Sequence, residues 1–269
     1  MNKSHLMGSI AALTIALAAS ASAASILNLT TEEFGGVAPT DSGIVNGALF
    51  DVTFQQPTGT GVIDPFLRLQ SNNVDSYGMN TDANNVLDNK GGIWTHDLQL
   101  FQLAEHNGYY EFLLDINEPN GSRPLIMLEQ LTLSTAAVGG LTYEDVRQPS
   151  IAATLRYNLD GAGDASVLLD YSRNHGSGSG DLLIRVSTSL FAGLDPETYL
   201  YLFAGFDKDP ENTATGNHEP SGGFEEFATI RAAVGPPVSP IPEPGSALIG
   251  MLVMGLAATR FGARSRPQS

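Results

Sequence analysis

Short apolar runs, each closed by Gly, Asn, Asp, Ser or Thr, recur along most of this chain and leave little room for any fold but an all-β one. The runs lie at residues 49–55, 63–70, 97–103, 109–116, 125–133, 151–159, 166–171, 182–187, 199–206 and 224–232. Each has strand length, and many alternate apolar with polar side chains. Their uneven spacing suits two packed sheets better than a propeller or a solenoid. No stretch keeps a helical period, and only Glu105-His106 and Asp195-Pro196-Glu197 suggest single turns. The fold class expected is all-β: a single antiparallel β-sandwich, jelly-roll-like or Ig-like.

Local signals refine this. Pro65 lacks a backbone donor and belongs at a strand start or on an edge strand. Asn107-Gly108 is a hairpin or loop signal before the run at 109–116. The turn-forming residues 158–164 separate two runs expected to pair antiparallel. Residues 176–181, Gly-Ser-Gly-Ser-Gly-Asp, read as a flexible loop.

The chain has no cysteine, so no disulfide reinforces the fold. Its two ends read as targeting segments. Lys3 and His5 precede an apolar stretch at 10–19, and Ala21 and Ala23 form a small-x-small cleavage site, which is the pattern of a secretory signal peptide. Four parts are expected: a signal peptide at 1–24, a β-sandwich domain at 25–234, a Pro-rich linker at 235–241, and a C-terminal segment at 242–266. Setting aside Lys3, Arg260, Arg264, Arg266 and Glu243, the exported part carries 9 basic and 28 acidic residues, a net of −19. Such a field repels nucleic acid and anionic membrane and attracts cations.

The C-terminal segment has three parts in fixed order. Pro242-Glu243-Pro244 comes first, then an uncharged run at 247–258, then a basic end with Arg260, Arg264 and Arg266. As a helix the run extends roughly 18–21 Å, short of the hydrocarbon core of about 30 Å, with the arginines held at the cytoplasmic side. This arrangement resembles the PEP-CTERM sorting signal of Gram-negative bacteria. Three internal stretches add to the likeness. They are Gly59 to Phe66 with Tyr77-Gly78-Met79-Asn80-Thr81-Asp82, then residues 168–181, then Tyr199 to Phe203 with Gly222 to Phe227. The resemblance implies cleavage by an exosortase-type enzyme, transient anchoring in the inner membrane through the C-terminal segment, and delivery to the cell surface or beyond. It also implies cells that make exopolysaccharide. It assigns no reaction.

Chemistry-bearing constellations are sparse. Cysteine is absent, which excludes a thiol nucleophile, and Gly178 occupies the centre of residues 176–180, so the Gly-x-Ser-x-Gly pattern of a serine nucleophile fails. Glu225 and Glu226 are neighbours in a predicted strand and point to opposite faces, so they form no acid/base pair between themselves. His96, His106, His175 and His218 lack the spacing of a transition-metal site. Calcium is the one cofactor the acidic loops suggest, through the alternating oxygens of Asp207, Asp209 and Glu211, although Asn212 stands where an EF-hand places glycine. Asp82, Asn84, Asn85 and Asp88 form a looser cluster, and Asp160 with Asp164 another. Trp94 either fills the core or offers a ring for a sugar to stack on. The expectation is an exported, non-enzymatic surface or matrix protein, structural or adhesive and associated with exopolysaccharide. The alternative is a secreted carbohydrate-active hydrolase or a carbohydrate-binding module.

Overall fold

The computed structural model describes residues 25–53, 63–70, 75–83, 86–118, 124–147, 152–174, 180–206, 218, 220 and 223–230. The strands run β1 (Ser25–Asn28), β2 (Ser42–Val45), β3 (Ala48–Val52), β4 (Ile63–Leu69), β5 (Ser76–Met79), β6 (Leu98–Gln99), β7 (Glu105–His106), β8 (Tyr109–Asp115), β9 (Leu125–Ala136), β10 (Thr154–Asn158), β11 (Ala165–Asp170), β12 (Leu182–Ser187), β13 (Tyr199–Phe206) and β14 (Glu225–Ile230). One short helix, α1 (Tyr143–Arg147), interrupts them. The protein is all-β, with two sheets that are mostly antiparallel.

Sheet 1 has the order β1-β11-β9-β13-β5, with β10 also on β9 and β6 on β13. Sheet 2 has the order β2-β3-β12-β8-β14-β4, with β7 on β8. The two share one core. Leu131, Leu133, Leu202 and Phe206 come from sheet 1; Phe50, Phe112, Ile184 and Phe227 come from sheet 2. Alternation along each strand produces this, because inward residues recur at every second position.

The longest strand, β9, sets the layout of sheet 1. One edge pairs with β13 from Leu128 to Ala136. The other edge pairs with β11 at Leu125 to Leu128 and with β10 at Thr132 to Thr135. The expected pairing of β10 with β11 is therefore corrected: both strands line the same edge of β9, one after the other. Twelve residues of β9 are long enough to hold both. A register shift opposite Gly205 and Phe206 then resets which β9 residues face inward. A second correction concerns β1, which pairs parallel with β11 in an otherwise antiparallel set.

Turn chemistry explains the tight connections. Asn107-Gly108 has φ of 53° and 84° between β7 and β8, and Asn46-Gly47 has 44° and 86° between β2 and β3. Both residues at positive φ is the type I′ geometry that matches strand twist. Pro65 lies on β4, an edge strand, at a register shift against β14. The run at 97–103 becomes the two-residue β6 followed by a 3-10 turn at Leu100–Gln102. Glu105-His106 is strand rather than turn.

Because no disulfide limits unfolding, core packing carries the stability. Phe112 is fully buried where the sheets meet, edge-on to Phe66 at 6.2 Å. Phe112→Ala is expected to cost about 3–5 kcal/mol in urea unfolding. Ile44→Ala, at an edge position 73% exposed, is expected to stay within about 0.5 kcal/mol.

Candidate functional site

The outer faces of the two sheets differ in kind. On sheet 2, Arg185 of β12 bridges Glu111 of β8 at 2.9 Å and Asp51 of β3, and His106 of β7 meets Glu111 at 2.7 Å. Arg68 of β4 bonds Glu226 of β14. These charges are satisfied by one another across neighbouring strands, so that face is closed chemically.

The outer face of sheet 1 carries a groove of about 570 Å³, within the size range of small-ligand and oligomer sites. Its floor comes from the residues that β9 turns outward after its register shift: Gln130, Thr132 and Ser134. Leu155 and Asn158 of β10, opposite Ser134 and Thr132, extend the floor. Phe203 of β13 closes one side, and Tyr143, Val146 and Arg147 of α1 rise beside it. Among the described residues, none of the Gln130, Thr132 and Ser134 side chains has a hydrogen-bond partner within the protein. Their donors and acceptors therefore face the groove unspent.

The aromatic wall is braced. Tyr143 stacks on Phe203 at 4.9 Å, and Tyr77 of β5 lies parallel to Phe203 at 6.4 Å. Tyr201 donates its hydroxyl to the Val138 carbonyl at 3.0 Å, which ties the segment leading into α1 to β13. Arg147 lies over the Tyr143 ring at 5.7 Å. Asp160, at the groove margin, accepts from the Ala165 amide at 3.1 Å and so holds the turn between β10 and β11. Burial raises its carboxyl above the ordinary range, with the Ala165 bond opposing and Asp164 adding.

The sequence-predicted residues fall elsewhere. Trp94 is half-buried beside sheet 2, and the Arg68 guanidinium covers its ring at 3.9 Å while also lying over Phe224 at 4.7 Å. Asp88 accepts from the Tyr77 amide, and the Asp82 amide donates to the Asp97 carboxylate, so the Asp88 carboxylate serves local structure. Glu225 and Glu226 do separate to opposite faces: Glu226 meets Arg68, and Glu225 lies on the side of Phe227 and the core. Asp207, Asp209 and Glu211, the sorting residues Pro242, Glu243, Pro244, Arg260, Arg264 and Arg266, and the cleavage residues Ala21 and Ala23 lie outside the described residues. Among the described residues, no three His, Asp or Glu side chains are arranged to hold a metal ion, and no helix is long and apolar enough to cross a membrane.

Sequence reasoning did not find the groove. Its one signal is the spacing Gln130-x-Thr132-x-Ser134, three polar outward positions inside an apolar strand. No known family model matches this chain, and neither the curated proteins nor the solved structures contain a match to it.

Trp94 is the only tryptophan, so its emission reports on the Arg68 corner. Arg68→Ala leaves Glu226, 6% exposed, without its cation. The expected result is a red-shifted emission and a loss of about 3 kcal/mol, much of it recovered when Glu226→Leu is added.

Proposed function

We propose that the chain is an exported β-sandwich, jelly-roll-like or Ig-like in type, that binds exopolysaccharide at the cell surface or in the extracellular matrix and acts there structurally or adhesively. The groove on sheet 1 is the observation that carries this reading. A sugar ring offers hydroxyls around its edge and C–H groups on its faces. Gln130, Thr132 and Ser134 supply uncharged donors and acceptors for the first, and Tyr143 and Phe203 supply apolar ring surface for the second. An open groove also suits a long chain, since a polymer must enter and leave at both ends.

Sequence supports the location. The leader at 1–24 and the tripartite segment at 242–266 resemble export and PEP-CTERM sorting signals, and the −19 balance between them favours solubility outside the cell. On this reading an exosortase-type enzyme removes the tail after transient anchoring in the inner membrane.

Two measurements test the proposal. The first is binding of the purified chain to the exopolysaccharide of the producing cells. Gln130→Ala with Thr132→Val removes two hydrogen-bonding groups and leaves the backbone intact. It is expected to weaken binding roughly tenfold or more, because each net hydrogen bond contributes about 0.5–1.5 kcal/mol. Undiminished binding by this variant would move the site off the groove, and no binding by the parent would end the adhesive reading. The second replaces Pro242, Glu243 and Pro244 with alanine in the producing cell. An uncleaved, membrane-retained precursor is expected, and normal processing would show that these residues are not the signal.

A further inference from the structure

Where β8 ends and β12 and β14 begin, four carboxyl groups lie buried: Asp115 at 3% exposure, Glu118 at 3%, Asp181 at 6% and Glu225 at 0%. The pairing brings them together. Leu182 stands opposite Leu114, and Glu226 opposite Asp115, so Asp181, Asp115 and Glu225 occupy three neighbouring strand ends of sheet 2. Gly223 lets the chain close over this end. A Cβ there would fall 1.6 Å from the Asn117 carbonyl oxygen, so residues 115–118 lie directly against the start of β14.

Two of these acids, Asp181 and Glu225, hold buried oxygens without a hydrogen-bond partner. Asp181 accepts from the Ile116 amide at 2.8 Å through Oδ2, while its Oδ1 has no partner. Neither carboxyl oxygen of Glu225 has a partner, and Ser76 Oγ at the head of β5 has none either. Among the described residues, other acids lie close enough to act on them. Glu118 and Asp115 raise the proton affinity of Glu225, and Asp115 does so for Asp181. Asp170 and Arg173 line a small void with Asp181. The nearby described bases are committed: Arg68 to Glu226, and Arg173 to Asp41 and to the carbonyls of Leu29 and Thr30.

A carboxylate fully removed from water, with no donor and with other carboxylates beside it, is far less stable charged than protonated. Burial is the main cause that lifts Glu225 well above the ordinary carboxylate range, with Glu118 and then Asp115 adding to it. Burial likewise pushes Asp181 up to about 8, against the opposing Ile116 hydrogen bond. A proton suits this arrangement better than a metal ion, because the acids follow the strand ends in a row and do not converge on one point.

We propose that this carboxyl cluster is a proton-held clasp: with Glu225 and Asp181 uncharged, the ends of β8, β12 and β14 stay closed, and alkaline conditions charge them and loosen β14. Because β14 is the last described strand before the linker, the clasp sets how firmly the C-terminal end of the domain is held. Both groups bind protons more tightly in the fold than in the unfolded chain, so folding takes up protons. The stability is fully present below the ordinary carboxylate range near pH 4 and is lost as pH rises through the folded values, which for Asp181 is about 8. Within that window each such group lowers the folding constant by up to roughly tenfold per pH unit.

The test is thermal unfolding of the full chain from pH 5 to pH 9 at constant ionic strength, beside the Glu225→Gln and Asp181→Asn variants. A midpoint that falls steadily with pH in the parent and flattens in each variant is expected. Infrared spectra of the folded parent at pH 7 should show the carbonyl band of protonated carboxylic acid, reduced in either variant. The infrared arm decides the matter if Glu225→Gln does not fold. A pH-independent parent, a variant with the parental slope, or no protonated band would overturn the clasp. So would recovery of the pH 5 midpoint at pH 8.5 on adding calcium, which would make the cluster a cation site instead.

Discussion

The backbone pairing of β9 is the interaction on which the rest of the molecule depends. Its twelve residues hydrogen-bond to β13 on one side and to β11 and then β10 on the other. Sheet 1 would lose its middle without it. Its register shift does more than add twist. Ile126 and Leu128 face the core before the shift, and Leu131 and Leu133 face it after. The extra residue lets one strand keep an apolar inner face along its whole length and still present Gln130, Thr132 and Ser134 together on the outside. The core and the groove are thus two consequences of one irregularity.

The two outer faces show how similar strands serve different ends. Sheet 2 pairs its charges across strands, Asp51 with Arg185 and Glu111, and Glu226 with Arg68. These pairs range from partly exposed, at Arg185 with Asp51, to nearly buried, at Arg68 with Glu226, and each takes up the charges that the strands would otherwise turn to a ligand. Sheet 1 carries aromatic rings and neutral hydroxyl and amide groups on the corresponding face, with α1 raising one wall above the floor. A face whose polar groups lack partners within the protein is the one on which a partner from outside gains most.

Much of this fold was legible where local and long-range preferences agree. The runs at 182–187 and 199–206 became strands at those same bounds, because their apolar residues suit both strand propensity and a buried pairing. Legibility failed where tertiary contacts decide. Ser25–Asn28 and Ser42–Val45 are too short and polar to stand out, and neighbouring strands make them strands. Residues 134–136 continue β9 because Tyr199 to Tyr201 pair with them, not through any apolar run of their own. The link between residues 158 and 164 reads locally as a hairpin, yet the length of β9 offers both flanking strands a better partner. The groove was invisible for a related reason: outward polar residues on a strand look like any solvated face until α1 is placed above them. Trp94 drew notice as a lone ring, and only the structure reveals that Arg68 already covers it.

Charge remains the constraint that any account of binding must meet. A domain with a net of −19 repels other anions at long range, although at physiological ionic strength the field decays over about 8 Å. On the proposed reading, a surface that meets an exopolysaccharide cannot then rely on long-range attraction for capture. Short-range contacts have to suffice, from stacking and neutral hydrogen bonds that operate inside the screening distance. The groove supplies contacts of that kind, and the charged pairs of sheet 2 do not. The same acidity reaches the interior at Glu225 and Asp181, where water cannot screen it and protons must. Outside, the excess charge keeps copies of the domain apart; inside, it makes the packing of three strand ends depend on pH.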